Sequence, residues 1–318
     1  MTSRIPMPSD CSKRMRYLAI LLVLAPLLAF AANCSEQEPT ATASQEPQRS
    51  IRIGLIPEQN IFLQKKRYQP LADYLSEKTG VRIELRVLSR YGNIIQNFVS
   101  KGLDGAFFGS FTAALAHRKL GVEAVARPEY PDGSSTYHGL LFVRKDSGIR
   151  NGNDMKGKRF AFVDKATTAG WLLPLYYFKT QGIRDYRSWL KESYFAGTHE
   201  GAIYDVLERN ADIGAAKNTV FEALAREDPR ISEDLLILAR SPDVPENGLC
   251  VRKTLDEPLK RKLRETLLGL DTTREGKRIL KKFGARRFIQ TSENDYAVVF
   301  EYAREIGLDL ETYDYMNE

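Results

Sequence analysis

The chain shows a regular alternation of short apolar runs with amphipathic stretches, beginning near residue 51. Residues 81–88 alternate apolar and polar side chains, as a half-buried strand does, whereas residues 92–101 repeat apolar side chains at helical spacing. In this first series the predicted strands are 51–56, 81–88, 103–109 and 122–127, and the predicted helices are 68–79, 92–101 and 110–120. This spacing predicts mostly parallel sheets covered by helices on both faces.

A second series of the same kind begins near residue 137. Its predicted strands are 137–145, 158–164, 193–197, 212–216, 235–240 and 247–253, and its predicted helices are 168–181, 198–210, 218–226, 256–283 and 293–306. The two series echo each other, because Asp104 and Asp212 each stand at a strand start and small residues lead from that strand into the next helix. The sequence therefore predicts an α/β fold with two lobes of similar build.

The N-terminal segment has the pattern of a secretory signal. Lys13, Arg14 and Arg16 precede residues 17–32, which are apolar and uncharged. This run is shorter than the roughly 20 apolar residues that a membrane-spanning helix needs. A single-pass anchor and a buried helix are the alternatives. Met15 is an alternative start, since the residues before it add nothing to a signal.

Two cleavage patterns fit the end of this segment. Residues 29–31 suit ordinary processing. Residues 31–34 resemble a bacterial lipobox, in which Cys34 becomes the lipidated first residue, although Asn33 departs from the usual small residue. Residues 35–50 lack aromatic and large aliphatic side chains, so they are predicted to be a flexible tether. The prediction is a periplasmic protein anchored to the membrane by a lipid on Cys34.

Charge and cysteine content change once this segment is set aside. The chain has 318 residues, 47 basic and 41 acidic, for a formal net charge of +6. Without residues 1–34 it has 43 basic and 40 acidic side chains, a net charge of +3. Nucleic-acid binding is the least favoured function class, because a signal removes the chain from that partner. Cys250 is then the one thiol of the folded part, which predicts a buried apolar role and no internal disulfide.

Catalytic motifs are not apparent. The sequence has no Gly-x-Ser-x-Gly elbow, no phosphate-binding loop and no His-Glu-x-x-His pattern. Its three histidines, His117, His138 and His199, do not stand at metal-ligand spacing. We therefore expect no enzymatic activity, no metal and no cofactor.

The residues that could bind a ligand stand where predicted helices begin, directly after predicted strands. Thr167, Thr168 and Ala169 follow a predicted strand and open a helix, where backbone N–H groups and hydroxyls suit an oxyanion. A plain helix cap is the alternative interpretation. His199 opens a helix after the next strand, and parallel strands place both starts on one rim of the sheet. A structural histidine is the alternative there.

Three further residues have the same character. Ser110 opens a helix at a strand end, Tyr91 follows the strand 81–88, and Tyr137 opens the first strand of the second series. Tyrosines can close on a small ligand through ring area and hydroxyl together, and structural tyrosines are the alternative.

Taken together, these segments resemble a known family. The specific elements are residues 102–109, 137–141, 154–162, 167–170, 197–199 and 245–248. The chain is similar to the phosphate-, phosphite- and phosphonate-binding proteins of ABC importers, a branch of the type II periplasmic binding proteins, over nearly all of residues 51–310. The resemblance implies two lobes with a ligand cleft at the hinge, and no catalysis.

The resemblance also implies a division of the chain and a set of site residues. The segments are a signal at 1–34, a tether at 35–50, lobe 1 at 51–140 and 247–318, and lobe 2 at 141–246. The implied ligand-binding residues are Tyr91, Ser110, Tyr137, Thr167, Thr168, Ala169, His199, Thr219 and Asn247. Members that bind aminophosphonates place acidic residues against the amine. Thr219 and Asn247 stand near the matching positions and are uncharged, which argues against an amino-bearing ligand.

The expected function is therefore binding of phosphate, phosphite or an alkylphosphonate by a monomer that delivers it to an ABC permease. A periplasmic oxyanion sensor that partners a sensor histidine kinase is the alternative. A secreted enzyme using the same cleft is a third hypothesis, which would need a nucleophile or metal.

Overall fold

The computed structural model describes residues 49–317. The predicted signal segment, the tether up to residue 48 and Cys34 lie outside the described residues. Within residues 49–317, none of the helices combines the length and the apolar character that a membrane span requires.

The described chain alternates strands and helices. The strands are β1 (Ser50–Leu55), β2 (Arg82–Val87), β3 (Gly105–Phe108), β4 (Val122–Glu129), β5 (Thr136–Tyr137), β6 (Gly139–Arg144), β7 (Arg159–Phe162), β8 (Glu192–Phe195), β9 (Ile213–Lys217), β10 (Leu235–Arg240), β11 (Val244–Pro245), β12 (Gly248–Arg252) and β13 (Arg287–Gln290). The α-helices are α1 (Ile61–Thr79), α2 (Asn93–Ser100), α3 (Ser110–Leu120), α4 (Leu173–Thr180), α5 (Tyr186–Trp189), α6 (His199–Leu207), α7 (Asn218–Glu227), α8 (Arg230–Asp234), α9 (Glu257–Leu268), α10 (Arg274–Phe283) and α11 (Ala297–Glu305). A π-helical turn, Thr168–Leu172, leads directly into α4.

Two sheets define two lobes. In lobe 1 the strand order is β13-β4-β12-β3-β1-β2, and in lobe 2 it is β10-β6-β9-β7-β8. The predicted α/β fold with two lobes is confirmed, but the sheets are mixed rather than mostly parallel. In lobe 1, β12 returns from lobe 2 and inserts antiparallel between β3 and β4. In lobe 2, β6 pairs antiparallel with β9 and β10.

A short ribbon joins the lobes. The strand β5 leaves lobe 1 and β11 leads back to it, and the two pair antiparallel through Tyr137 with Val244 and Thr136 with Pro245. The chain's two passages between the sheets thus lie side by side.

Several element boundaries differ from the predicted ones. Helix α1 begins at Ile61 rather than at residue 68, because the side chain of Asn60 accepts hydrogen bonds from the backbone N–H groups of Phe62 and Leu63. The predicted helix 256–283 is two helices, α9 and α10. A Cβ atom on Gly276 would lie 2.0 Å from the Leu270 carbonyl oxygen, so the glycine permits the close turn between them. The edge strand β13 was not predicted.

Aromatic and aliphatic side chains pack against the faces of each sheet. Phe160 and Phe162 stack at 4.2 Å between ring centroids in lobe 2, and Tyr68 meets Phe107 edge to face at 5.0 Å in lobe 1. Cys250 lies fully buried in β12, and burial raises the pKa of its thiol to about 12. The predicted buried role of this cysteine is confirmed.

Candidate functional site

A small closed cavity lies where the two lobes meet. We call it the closed cavity, and its volume of about 10 Å³ is close to what one water molecule needs. Its lining comes from the carboxyl ends of strands in both sheets and from the starts of the following helices. The lining residues are Ile56, Glu58, Tyr91, Gly109, Ser110, Phe111, Thr112, Tyr137, Ala166, Thr167, Thr168, His199 and Asn247. Seven of the nine residues predicted for the site therefore meet around one cavity; Ala169 and Thr219 are not among them.

Two helix starts face each other across this cavity. Helix α3 begins at Ser110 in lobe 1 and the π turn begins at Thr168 in lobe 2. The hydroxyl oxygen of Thr168 accepts a hydrogen bond of 3.1 Å from the backbone N–H of Phe111, which joins the lobes directly. Because the first N–H groups of a helix lack intrahelical partners, both starts direct donors toward this region.

The turn before Thr168 is held by its own hydrogen bonds. The hydroxyl of Thr167 donates to the carbonyl oxygen of Asp164 at 2.7 Å, so its proton is used in the turn. A Cβ atom on Gly170 would lie 2.3 Å from the Val163 side chain, so that glycine permits close packing of helix on strand. Ala169 packs against Gly139 instead of lining the cavity. Of the three predicted turn residues, Thr168 is thus the one whose hydroxyl is placed for a ligand.

His199 is a neutral donor at the cavity. It follows Thr198, whose side chain caps helix α6, and the imidazole is almost fully buried. Burial lowers the pKa of His199 from 6.5 to about 3. Its Nδ1 atom accepts a hydrogen bond of 3.3 Å from the backbone N–H of Lys217, so the single proton of the neutral ring lies on Nε2.

Two buried polar groups of the cavity lack partners among the described residues. These are the hydroxyl of Tyr91, whose ring lies 5.7 Å from the His199 ring, and the Nδ2 amide of Asn247. Burial raises the pKa of Tyr91 well above its usual value, so the hydroxyl keeps its proton. A buried donor without a partner costs about 1–3 kcal/mol, which a ligand acceptor would recover.

Tyr137 and Ser110 hold the lobes together at the cavity's edge. The Ser110 hydroxyl donates to the carbonyl oxygen of Pro245, so its proton serves the ribbon rather than a ligand. The Tyr137 side chain contacts the hydroxyls of both Ser110 and Thr168. These two predicted residues therefore line the cavity and also fix the crossing beside it.

Thr219 lies elsewhere, in a larger cleft open to solvent. This open cleft has a volume of about 580 Å³. Its lining residues are Glu58, Gln59, Arg67, Tyr130, Pro131, Asp132, Ser134, Thr136, His138, Lys217, Asn218, Thr219, Val220, Glu222, Ala223, Arg226, Asp243 and Gly284. The structure thus places Thr219, which was predicted as a site residue, at the open cleft and not at the closed cavity: it is the second residue of α7, which borders the open cleft.

A buried charged cluster separates the closed cavity from the open cleft. The ammonium of Lys217 contacts Glu58 at 2.9 Å and also pairs with Glu246, and all three side chains are buried. Burial alone would raise the pKa of Glu58 and lower that of Lys217. The attraction between the charges outweighs burial, so the pKa of Glu58 lies below its usual range and that of Lys217 well above. We call Lys217, Glu58 and Glu246 the Lys217 cluster.

The sequence-based prediction missed this cluster, although a signal for it existed. Glu58 follows the first strand, and Lys217 is the last residue but one of the segment 210–218, which echoes residues 102–110. Both positions are carboxyl ends of strands, the same rule that singled out Thr168 and His199.

The C-terminal segment was also not foreseen at the site. Asn317 donates to the Asp164 carboxylate at 2.9 Å and accepts from the backbone N–H of Lys165 at 3.0 Å, while the Tyr313 hydroxyl donates to the Lys165 carbonyl oxygen. These contacts support the turn that precedes Thr168. Burial raises the pKa of Asp164 to about 6, although hydrogen bonds to its carboxylate act against the shift.

Metal binding has no support from the described part of the chain. Among residues 49–317, no group of three or more His, Cys, Asp or Glu side chains could hold a metal ion.

Comparison with known proteins places the chain among binding proteins for phosphorus oxyanions. A family model described as the periplasmic substrate-binding protein of phosphonate ABC transporters matches residues 53–296. The chain is 28% identical over 255 residues to the phosphonates-binding periplasmic protein of Escherichia coli K12, which covers 79% of this chain and 75% of that protein.

One further relative is similar to this chain in both sequence and structure. A probable ABC transporter phosphite-binding protein, PhnD1 of Prochlorococcus marinus MIT 9301, is 24% identical, with 81% of this chain and 90% of that protein covered. The fold is similar to the structure of PhnD1 from the same organism in complex with methylphosphonate, with a TM-score of 0.72, 23% identity, and coverage of 82% of this chain and 99% of that one. The predicted two-lobed architecture of type II periplasmic binding proteins is confirmed by this likeness.

Proposed function

Because the chain belongs to the family of periplasmic substrate-binding proteins of phosphonate ABC transporters, we propose that its closed cavity binds a small phosphorus oxyanion for delivery to an ABC permease. The ligand is phosphate, phosphite or an alkylphosphonate with a small substituent. One observation carries the proposal: the Tyr91 hydroxyl and the Asn247 amide are buried donors without partners at this cavity. Thr168 and His199 add a hydroxyl and a neutral N–H beside them.

Neutral hydrogen-bond donors suit the binding of a small oxyanion. An anion held by helix starts, hydroxyls and an imidazole N–H needs no buried cation, and water exclusion strengthens each hydrogen bond. Each charge-assisted bond contributes roughly 1.5–3 kcal/mol.

Ligand entry requires the lobes to separate. The closed cavity holds about one water-sized sphere, and a tetrahedral oxyanion is larger. The ribbon of β5 and β11 is the hinge in this proposal, because it carries both chain passages between the sheets. The hydrogen bond from Phe111 to Thr168 opens on entry and is replaced by bonds to the ligand.

The names of the relatives favour transport over the other hypotheses. They bind phosphonates or phosphite for ABC transporters, which supports the import role and gives no support to a sensor kinase partner or to catalysis. A periplasmic location follows from the family. We further propose that the protein acts as a monomer and that a lipid on Cys34 anchors it. Mass spectrometry of the mature N-terminus tests the anchor: acyl chains on Cys34 are expected, and a free N-terminus after residue 31 would contradict it.

A thermal unfolding screen of residues 35–318 tests the binding role. Phosphate, phosphite and methylphosphonate are added separately, with sulfate and chloride as controls. A ligand at about 100 times its dissociation constant raises the free energy of unfolding by about 2.7 kcal/mol. Stabilisation by at least one phosphorus oxyanion is expected, and its absence for all three would contradict the proposal.

A further inference from the structure

Lys217 is held by groups from three parts of the chain. Its ammonium contacts Glu58, which follows β1 in lobe 1, and Glu246, which follows β11 in the ribbon. It also lies 4.4 Å from the centre of the Tyr137 ring and 3.4 Å from the Oδ1 atom of Asn247. Lys217 itself ends β9 in lobe 2. The side chain is therefore fixed where the lobes and the ribbon meet.

The Lys217 cluster forms the wall between the closed cavity and the open cleft. Glu58 lines both spaces, while Lys217 lines the open cleft and Asn247 lines the closed cavity. Because the Oδ1 atom of Asn247 faces Lys217, its unpaired Nδ2 amide is left for the cavity. A substituent that grows from a bound oxyanion toward this wall would meet the cluster.

The cluster changes the argument about an amino group on the ligand. The sequence argued against such a ligand because Thr219 and Asn247 are uncharged. The structure places Glu58 on the lining of the cavity and Glu246 against Lys217, one residue before the lining residue Asn247, so acidic groups are present after all. Both are already paired with the chain's own ammonium.

We infer that Lys217 is a specificity-determining residue, which restricts the proposed site to oxyanions without an amino substituent. The inference rests on the proposed function. Lys217 pairs with both carboxylates, so a ligand ammonium directed at this wall would lose its water and find its counter-charges already engaged; Lys217 therefore selects by occupancy. A hydrogen, hydroxyl or methyl group on phosphorus carries no charge and needs no partner there.

The test compares two phosphonates of similar size, 2-aminoethylphosphonate and propylphosphonate, by calorimetry. Wild-type protein is expected to bind propylphosphonate on the order of 100-fold more tightly than 2-aminoethylphosphonate, because the ligand ammonium would lose its water beside carboxylates that are already paired. In Lys217→Ala, the ligand ammonium takes the place of the missing one between Glu58 and Glu246. This variant is expected to bind 2-aminoethylphosphonate at least about tenfold more tightly than propylphosphonate, as a restored charge pair predicts.

Lys260 offers a matched control. It is also a buried lysine that pairs with two glutamates, Glu123 and Glu257, but it is not among the residues that line the closed cavity or the open cleft. Lys260→Ala should leave the preference between the two ligands as in the wild type. If Lys217→Ala fails to fold because two carboxylates are left unpaired, the double variant Lys217→Ala with Glu246→Gln keeps one carboxylate and should show the same preference for the amine.

The outcomes separate this inference from the proposed function. Equal binding of propylphosphonate and 2-aminoethylphosphonate by the wild type would overturn the role of Lys217 and leave the function intact. So would a folded Lys217 variant that gains no preference for the amine. Failure of phosphate, phosphite and methylphosphonate to bind the wild type would instead overturn the proposed function itself.

Discussion

The closed cavity and the open cleft lie on either side of the Lys217 cluster and differ in the state of their polar groups. The open cleft is far larger, at about 580 Å³ against about 10 Å³, and it carries more charge. Several of its polar groups have partners, such as His138 with Asp243 at 3.2 Å and Asn218 with Glu222 at 3.2 Å. The closed cavity has neutral donors, two of them unpaired. The difference teaches that unsatisfied donors, more than volume or charge, identify an anion site.

The largest effect is expected from Thr168→Val. This change removes the hydroxyl at the start of the π turn and leaves a side chain of similar shape. The dissociation constant of the preferred oxyanion should rise by roughly 100-fold, since a charge-assisted hydrogen bond is lost. Calorimetric titration measures this value.

Thr219→Val makes the same chemical change in the open cleft and serves as its control. The dissociation constant should change by less than about twofold there, as for other substitutions away from the ligand. Comparable losses in the two variants would remove the distinction between the cavity and the cleft.

The second effect concerns stability as a function of pH. The folded protein keeps His199 neutral down to a pKa of about 3, whereas the unfolded chain protonates it below 6.5. The contribution of His199 to the free energy of unfolding is therefore fully present above pH 6.5. Below that pH it falls by about 1.4 kcal/mol per pH unit. Asp164 acts in the opposite direction, because its folded pKa of about 6 exceeds the usual 3.8. Comparing the wild type with His199→Gln isolates the contribution of the histidine to the pH dependence of stability.

Urea unfolding at about pH 5 and pH 7 measures this difference. Between these values the wild type should lose about 2 kcal/mol more than His199→Gln does. An equal pH dependence of the two proteins would show that His199 is protonated in the folded state.

A smaller effect is expected from Tyr91→Phe. The ring that packs against His199 remains, and the unpaired hydroxyl is lost. Affinity for the oxyanion should fall about tenfold, while the free protein becomes no less stable, because that hydroxyl has no partner to lose. Tyr130→Phe in the open cleft is the matched control and should leave affinity unchanged. Unaltered affinity in Tyr91→Phe would exclude its hydroxyl as a ligand donor.

The smallest effect is expected from charge removal in the open cleft. Glu222 is exposed there and accepts a hydrogen bond from Asn218. Glu222→Gln should change the dissociation constant by less than about twofold, as measured by calorimetry. A larger change would show that the open cleft takes part in ligand binding.

Much of the fold followed from periodicity. Apart from β13, the strands of both sheets stand close to the predicted positions, because buried strands and amphipathic helices leave strong patterns. Pairing direction was harder to predict. Whether β12 joins β3 and β4 in parallel or antiparallel depends on the path through lobe 2, which no local pattern records.

Part of the candidate site could likewise be predicted from the sequence, and part could not. Tyr91, Thr168, His199 and Asn247 meet at one cavity, as the positions of strand ends and the family resemblance predicted. The sequence did not show that the hydroxyls of Thr167 and Ser110 are used within the protein, because their acceptors are backbone carbonyls. The pairing of Lys217 with Glu58 spans 159 residues, a separation at which local pattern carries no information.

A crystal structure of residues 35–318 with methylphosphonate tests the central claim most directly. The account predicts the phosphonate oxygens in the closed cavity, within hydrogen-bond distance of the Tyr91 hydroxyl, the Asn247 amide and the Thr168 hydroxyl. Phosphonate bound in the open cleft against Thr219 and His138, with Tyr91 and Asn247 still unpaired, would contradict it.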